Sequence, residues 1–182
     1  MERIIKSMSK EYEHEALNLV EKVFTDYEDE ENAKIVCQLI EEIRSMDTYV
    51  PELELIMVNE DDEIIGYAMF SKFHIEGKYC DDLLILTPVA VKTELQRQHI
   101  SKELIEYGFD LGKKLGYKAV LVEGNPQNYN ARGFRTSADY GIVAGESVNL
   151  PAPECLMVKE LIPKGLENIK GIVEYTDYKS LI

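Results

Sequence analysis

A basic turn, a carboxylate at a strand end and a supply of tyrosine hydroxyls carry the chemistry legible in this chain. The turn is Gln96-Arg97-Gln98-His99-Ile100-Ser101, set between the apolar run Leu83–Val91 and an amphipathic stretch over 99–116. A helix starting there leaves its first N–H groups unpaired and carries a partial positive charge, so an anion docks at it naturally. Lys92, Arg97 and Lys102 cluster at the same turn and add positive potential. Glu123 ends a second apolar run, Ala119–Val122, where a carboxylate is placed to take a proton from a nucleophile. Asp81 and Asp82 precede the other run, and all three carboxylates read equally as solvated charges at strand ends. A tyrosine hydroxyl, neutral around pH 7 with a reference pKa of about 10, can protonate a leaving group. The chain has 11 tyrosines to choose from. His14, His74 and His99 are scattered and show no metal-ligand spacing.

Those residues need a scaffold, and the apolar pattern supplies one. Strand, turn, helix and strand over 83–122 form a βαβ unit. Upstream, Arg3–Ser7 reads as a first strand. Ala16, Leu17, Val20, Val23 and Phe24 form one stripe at helical spacing. Ile35, Val36, Leu39, Ile40, Ile43 and Met46 form a second, closed by Pro51. The acidic run DYEDEEN at 26–32 between them reads as a solvated connection. Leu53–Val58 and Glu63–Phe73 are strands joined by an acidic hairpin turn. Leu83–Val91, almost unbroken in its apolarity, is a central strand covered on both faces.

In the helix that follows, Ile100, Leu104, Ile105, Gly108, Leu111 and Leu115 share a face, and Gly116 ends it. Tyr129–Arg132 reads as one helical turn, and Asn125 reads as a helix N-cap with Pro126 in the first helical position. Tyr140–Val143 and Leu156–Leu161 are expected as the last strands of the main sheet, and IVEY at 172–175 as an edge strand. The expectation is an α/β chain with a mixed central β-sheet and helices on both faces. A single domain would span 1–162, with a C-terminal extension over 163–182.

Composition bounds the function. The net charge is −14 over 182 residues, which repels nucleic-acid phosphate. The same charge either attracts a cationic substrate such as an amine or serves solubility. No apolar run approaches the roughly 18 residues needed to cross a bilayer, so no membrane role is expected. The N-terminal stretch MERIIKSMSKEYEHE turns acidic too early for a signal peptide. Cys37, Cys80 and Cys155 form no CxxC and read as reduced thiols in the core of a cytoplasmic protein. Neither GxGxxG nor GxxxxGK[ST] occurs, which argues against a Rossmann-type nucleotide enzyme.

The order and spacing of these motifs resemble the GCN5-related N-acetyltransferases, the GNAT family, over about residues 52–162. That family seats the CoA pyrophosphate on Q/R-x-x-G-x-G/A. Here Gln96 matches the first position, while His99 and Ser101 stand where the glycines belong. The segment GNPQNYNARGF at 124–134 is similar to the family's Y-x-x-x-G-F turn, followed by DYGI, PAPE and LMVKEL. The resemblance implies a GNAT-like acyl-CoA N-acyltransferase fold and acetyl transfer from acetyl-CoA, as co-substrate, to a primary amine. An amine must lose a proton to attack, the oxyanion needs a donor, and the departing thiolate needs a proton.

By the resemblance, Tyr129 is the general acid, with Glu123 as the candidate base. Val89, Ala90 and Val91 would bind pantetheine and the oxyanion through backbone groups. Gln96, Arg97, Gln98, His99, Ile100 and Ser101 would hold the pyrophosphate, and Asn125 a pantetheine amide. Many relatives pair, which leaves a homodimer open. The alternative is a degenerate GNAT domain acting as a CoA sensor or protein-interaction module, favoured by the side chain of His99 at a glycine position.

Overall fold

The computed structural model describes residues 2–182. In chain order its elements are β1 Arg3–Ser7, α1 Glu13–Tyr27, α2 Glu30–Arg44, β2 Glu54–Asn59, β3 Ile64–Lys72, β4 Leu83–Val91 and α3 Ile100–Lys114. They continue with β5 Ala119–Glu123, α4 Pro126–Tyr129, β6 Arg135–Thr136, β7 Ile142–Ala144, β8 Leu156–Glu160 and β9 Gly171–Val173. Seven strands form a mixed sheet in the order β1-β2-β3-β4-β5-β8-β6, and β7 pairs with β9 in a separate two-stranded sheet. The chain packs as two compact units. The first comprises the chain up to Ser71, Thr87–Gly108 and Lys179–Ile182; the second comprises Lys72–Leu86 and Phe109–Tyr178.

In the first unit β1 pairs with β2, and β2 with β3, both antiparallel. β3 is buried along almost its whole length because both of its faces are covered. A Cβ on Gly66 would lie 2.7 Å from Ile100 and 2.8 Å from Leu104, so this position holds α3 close to the strand. Gly108, on α3 itself, meets the ring of Phe70 at distances no Cβ tolerates. Tyr67, one residue on from Gly66, points to the opposite face. Its hydroxyl donates to Glu54 at 2.6 Å. Glu54 is fully buried and also accepts from Arg44 of α2 at 2.6 and 2.9 Å and from Tyr49 at 2.5 Å. Helices thus cover both faces of this strand. The buried carboxylate is tolerated because three donor side chains satisfy it.

In the second unit β4 and β5 run parallel, Leu83–Ile85 opposite Ala119–Leu121. β5 and β8 are antiparallel, and β6 borders β8. Leu84, Leu121, Phe134 and Met157 are among the buried side chains of this core.

Several expectations change. The acidic run 26–32 is not one long connection: α1 continues to Tyr27 and α2 begins at Glu30. Asp29 caps α2, accepting from the Asn32 amide at 2.8 Å, and Glu30 and Glu31 sit in its first turn. Carboxylates favour a helix N-terminus, so the charge run starts the helix. Leu115 falls just past the end of α3 and is 42% exposed, while Phe109 and Gly112 carry the buried stripe of α3 beyond Gly108. The turn expected at Tyr129–Arg132 is α4 followed by a 3-10 turn over Asn130–Arg132. β7 does not join the main sheet; β9, from the IVEY tail, pairs with it in parallel. The main sheet instead ends at the two-residue β6, too short to show a period. All three cysteines are free, and none is fully buried.

Candidate active site

The turn before α3 lies in the first unit. Gln96, Arg97, Gln98 and His99 are exposed, and Ile100 anchors the start of the helix in the core. Arg97 and His99 both take left-handed backbone, with φ of 63° and 65°. Glycine enters this region freely, whereas a side chain pays roughly 1–2 kcal/mol. The backbone of His99 therefore keeps the conformation for which a glycine would be chosen. Its carbonyl accepts the Glu103 amide at 3.0 Å, so His99 stands at the head of the helix. Arg3 of β1 pins the turn: its guanidinium donates to the Gln98 carbonyl at 3.0 Å and pairs with Glu103 at 2.9 Å. Lys92 is 3.8 Å from Glu63, while Arg97 and Lys102 have no carboxylate partner among the described residues. Upstream, the ladder of β4 with β5 ends at Ile85, and β4 runs on through Val89, Ala90 and Val91.

The second unit holds the turn after β5. Asn125 caps α4 as its sequence position predicts: its side-chain oxygen accepts the Gln127 amide at 3.0 Å, with Pro126 next in line. Tyr129 ends this helix. Its amide donates to the Asn125 carbonyl, and its carbonyl accepts the amide of Phe134 at 3.2 Å. Gly133 closes the loop with φ 91°. The rings of Tyr129 and Phe134 meet edge to face, 5.7 Å apart. Gly124 makes room, since a Cβ there would lie 2.4 Å from the Tyr129 ring. The spacing of Tyr129, Gly133 and Phe134 thus has a geometric cause: the turn brings the tyrosine onto a buried phenylalanine and over a glycine. Burial raises the Tyr129 hydroxyl above the ordinary tyrosine pKa, and nearby Arg132 partly offsets this. The phenol stays protonated around neutral pH and can donate.

Glu123 stands at the end of β5, across from Leu156 of β8. Its side chain is partly open to solvent, yet surrounding protein raises its pKa above the usual carboxylate value. Tyr175 acts in the opposite direction, its hydroxyl donating to Oε1 at 3.0 Å. Tyr175 escaped the sequence reading. It lies in the tail, where only a strand pattern was visible, and nothing local links it to Glu123. The remaining candidates resolve as surface contacts. Asp82 pairs with Lys118 at 3.4 Å, His14 is exposed, and His74 Nε2 is 2.5 Å from Asp177. A concavity of about 480 Å³ lined by Asp139, Glu160, Lys164 and Lys170 contains none of the predicted site residues. No helix among the described residues is long and apolar enough to cross a membrane.

Comparison with known proteins gives the family and the fold. The N-acetyltransferase YhbS of Escherichia coli K12, itself uncharacterized, is 28% identical over 129 residues, covering 69% of this chain and 73% of that protein. The crystal structure of Escherichia coli YhbS in complex with CoA superposes with a TM-score of 0.83 at 22% identity, over 97% of this chain and 91% of that one. A GNAT family acetyltransferase from Brucella melitensis, in complex with acetyl-CoA, gives a TM-score of 0.72 at 20% identity, over 100% and 99% of the two chains. The sequence model of the acetyltransferase (GNAT) family matches residues 10–137, from the start of the helical segment through the Tyr129–Phe134 turn. With that match over more than two thirds of its length, the chain belongs to the GNAT acetyltransferase family.

Proposed function

We propose that the chain transfers the acetyl group of acetyl-CoA to a primary amine by direct attack, with Tyr129 as general acid and Glu123 as general base. Family membership supports acetyl transfer, and the CoA and acetyl-CoA complexes of similar structures support the co-substrate. The observation that carries the reading for this particular chain is the left-handed backbone at His99. A left-handed backbone of the kind glycine adopts freely is present there although the glycine is missing.

In this reading the amides at the head of α3, with Arg97, Lys102 and the Ser101 hydroxyl, hold the pyrophosphate. Gln96, Gln98 and His99 frame the same turn, and Ile100 fixes it to the core. The backbone of Val89, Ala90 and Val91 receives pantetheine, and an N–H there faces the developing oxyanion. Asn125 adds a polar contact while it caps α4. Glu123 takes a proton from the incoming ammonium. The amine nitrogen bonds to the thioester carbon, the carbon–sulfur bond breaks, and Tyr129 protonates the thiolate; the second proton that the nitrogen loses as the amide forms passes through solvent and restores the Tyr129 phenol. A carboxylate raised above its usual value suits the first transfer, and a phenol that stays protonated suits the last. The net charge of −14 favours a cationic acceptor.

A second reading rests on the same turn. Side chains at Arg97 and His99 border the anion site, and a histidine turned inward would block it. The domain would then bind CoA poorly and act as a sensor or interaction module. Calorimetric titration of the wild-type chain with acetyl-CoA separates the two. The transferase reading expects binding in the micromolar range. No heat of binding in the wild type, with binding restored by His99→Gly, would establish the second reading instead.

A further inference from the structure

We propose that Tyr175 is a positioning residue for Glu123, holding one carboxylate oxygen so that the other faces the incoming amine. The proposal rests on the reading of Glu123 as general base and adds a residue to it. Tyr175 lies well outside the stretch 10–137 that matches the family.

The geometry is specific. The Tyr175 hydroxyl donates to Oε1 of Glu123 at 3.0 Å, and Oε2 has no partner among the described residues. The terminal torsion of a glutamate is otherwise broad, so a single donor decides which oxygen is presented. The donor is itself held in place. Its ring stands edge-on to Phe73 and to Tyr178, with centroids 6.3 and 6.4 Å away. Its amide donates to the Ser147 hydroxyl at 2.8 Å. Two residues on, Asp177 accepts from His74. The Gly77 amide donates to His74 Nδ1 at 2.9 Å, which leaves the ring proton on Nε2 for that contact.

The surroundings of Glu123 simplify its titration. Leu156 on β8 faces it without charge, and from the tail Tyr175 is the titratable group that bears on it. Burial raises the carboxyl and the tyrosine hydrogen bond lowers it. A bond donated to a carboxylate favours the charged form, and the charged form is the base. Removing the hydroxyl therefore raises the Glu123 pKa. The acidic limb of kcat/KM moves to higher pH. Activity falls by about three- to tenfold below that limb, the range of one hydrogen bond, and recovers above it.

The test is a carbon-13 NMR titration of the full chain, without acetyl-CoA or amine. The Glu123 carboxyl resonance is assigned from its loss in Glu123→Gln. Tyr175→Phe keeps the ring and its packing, and the Glu123 midpoint is expected to rise. The second readout is kcat/KM against pH, with acetyl-CoA and a panel of polyamines, aminoglycosides and a lysine peptide as acceptors. An unchanged Glu123 midpoint in Tyr175→Phe, with Glu123→Gln inactive, overturns the role of Tyr175 and leaves the base in place. Full activity in Glu123→Gln removes Glu123 as base, and this proposal falls with it. A loss equal at every pH makes Tyr175 a packing residue and also overturns it.

Discussion

The ring of Tyr129 stands edge-on to the ring of Phe134, with centroids 5.7 Å apart and planes at 90°. Phe134 is fully buried, so the contact fixes the tyrosine ring against the core. Tyr129→Phe keeps that contact and removes only the hydroxyl. Under the proposed mechanism kcat should fall by about 10²-fold or more, with acetyl-CoA affinity nearly unchanged. Steady-state kinetics and calorimetry on the same preparation check both halves. An unchanged kcat takes Tyr129 out of the mechanism.

Gly124 permits the same placement from the other side. A Cβ at this position would lie 2.4 and 2.9 Å from two ring carbons of Tyr129. Gly124→Ala should push the ring away while leaving the hydroxyl chemically intact. The expected outcome is a drop in kcat that approaches that of Tyr129→Phe, since displacement by about 1 Å can cost on the order of 10²-fold. Combining the two substitutions should add little. Additive losses would mean that Gly124 acts on something other than Tyr129.

The central part of this site was legible because its signals are local. The apolar run Leu83–Val91 matches β4 residue for residue, and Asn125-Pro126 announces the start of α4. The spacing from Tyr129 to Phe134 is set within one turn, so a linear motif captures it. What escaped depends on residues brought together from afar. Tyr175 meets Glu123 across 52 positions. Glu54 falls inside the strand read at Leu53–Val58, and nothing local shows that it is fully buried where Arg44, Tyr49 and Tyr67 converge on it. The substitution at His99 suggested a crowded turn because sequence shows a side chain and not a dihedral. The structure adds that the backbone keeps its left-handed form.

That dihedral leads to a prediction of its own. His99→Gly removes the strain of a side chain at φ 65° but adds freedom to the unfolded chain. The two effects oppose, and the net gain in stability should be about 0.5–1 kcal/mol. Acetyl-CoA should bind more tightly by less than about tenfold, or 1.4 kcal/mol. Urea unfolding gives the first figure and calorimetry the second. A loss of stability would contradict the strain argument.

The buried group around Glu54 gives a stability prediction for the first unit. Arg44→Met leaves a carboxylate in the core without its cation and should cost about 3–5 kcal/mol. The pH dependence follows from the tyrosines. Burial first, then the neighbouring carboxylate, raises Tyr49 and Tyr67 above the usual tyrosine range. Unfolded tyrosines lose their protons near pH ~10, while these two keep theirs in the fold. The unfolded state then binds fewer protons, so stability is full below pH ~10 and declines as pH rises beyond it. Urea midpoints measured across that range should fall for the wild type and fall less for Tyr67→Phe. A flat alkaline profile would mean that these hydroxyls titrate normally.

The most direct measurement of the central claim follows free thiol and acetylated amine together, from acetyl-CoA and the acceptor panel, using the wild-type chain. The account predicts that at least one primary amine triggers thiol release in equal amount to its own acetylation, and that Tyr129→Phe abolishes nearly all of it. Tight binding of acetyl-CoA with no amine acetylated across the panel would contradict the account.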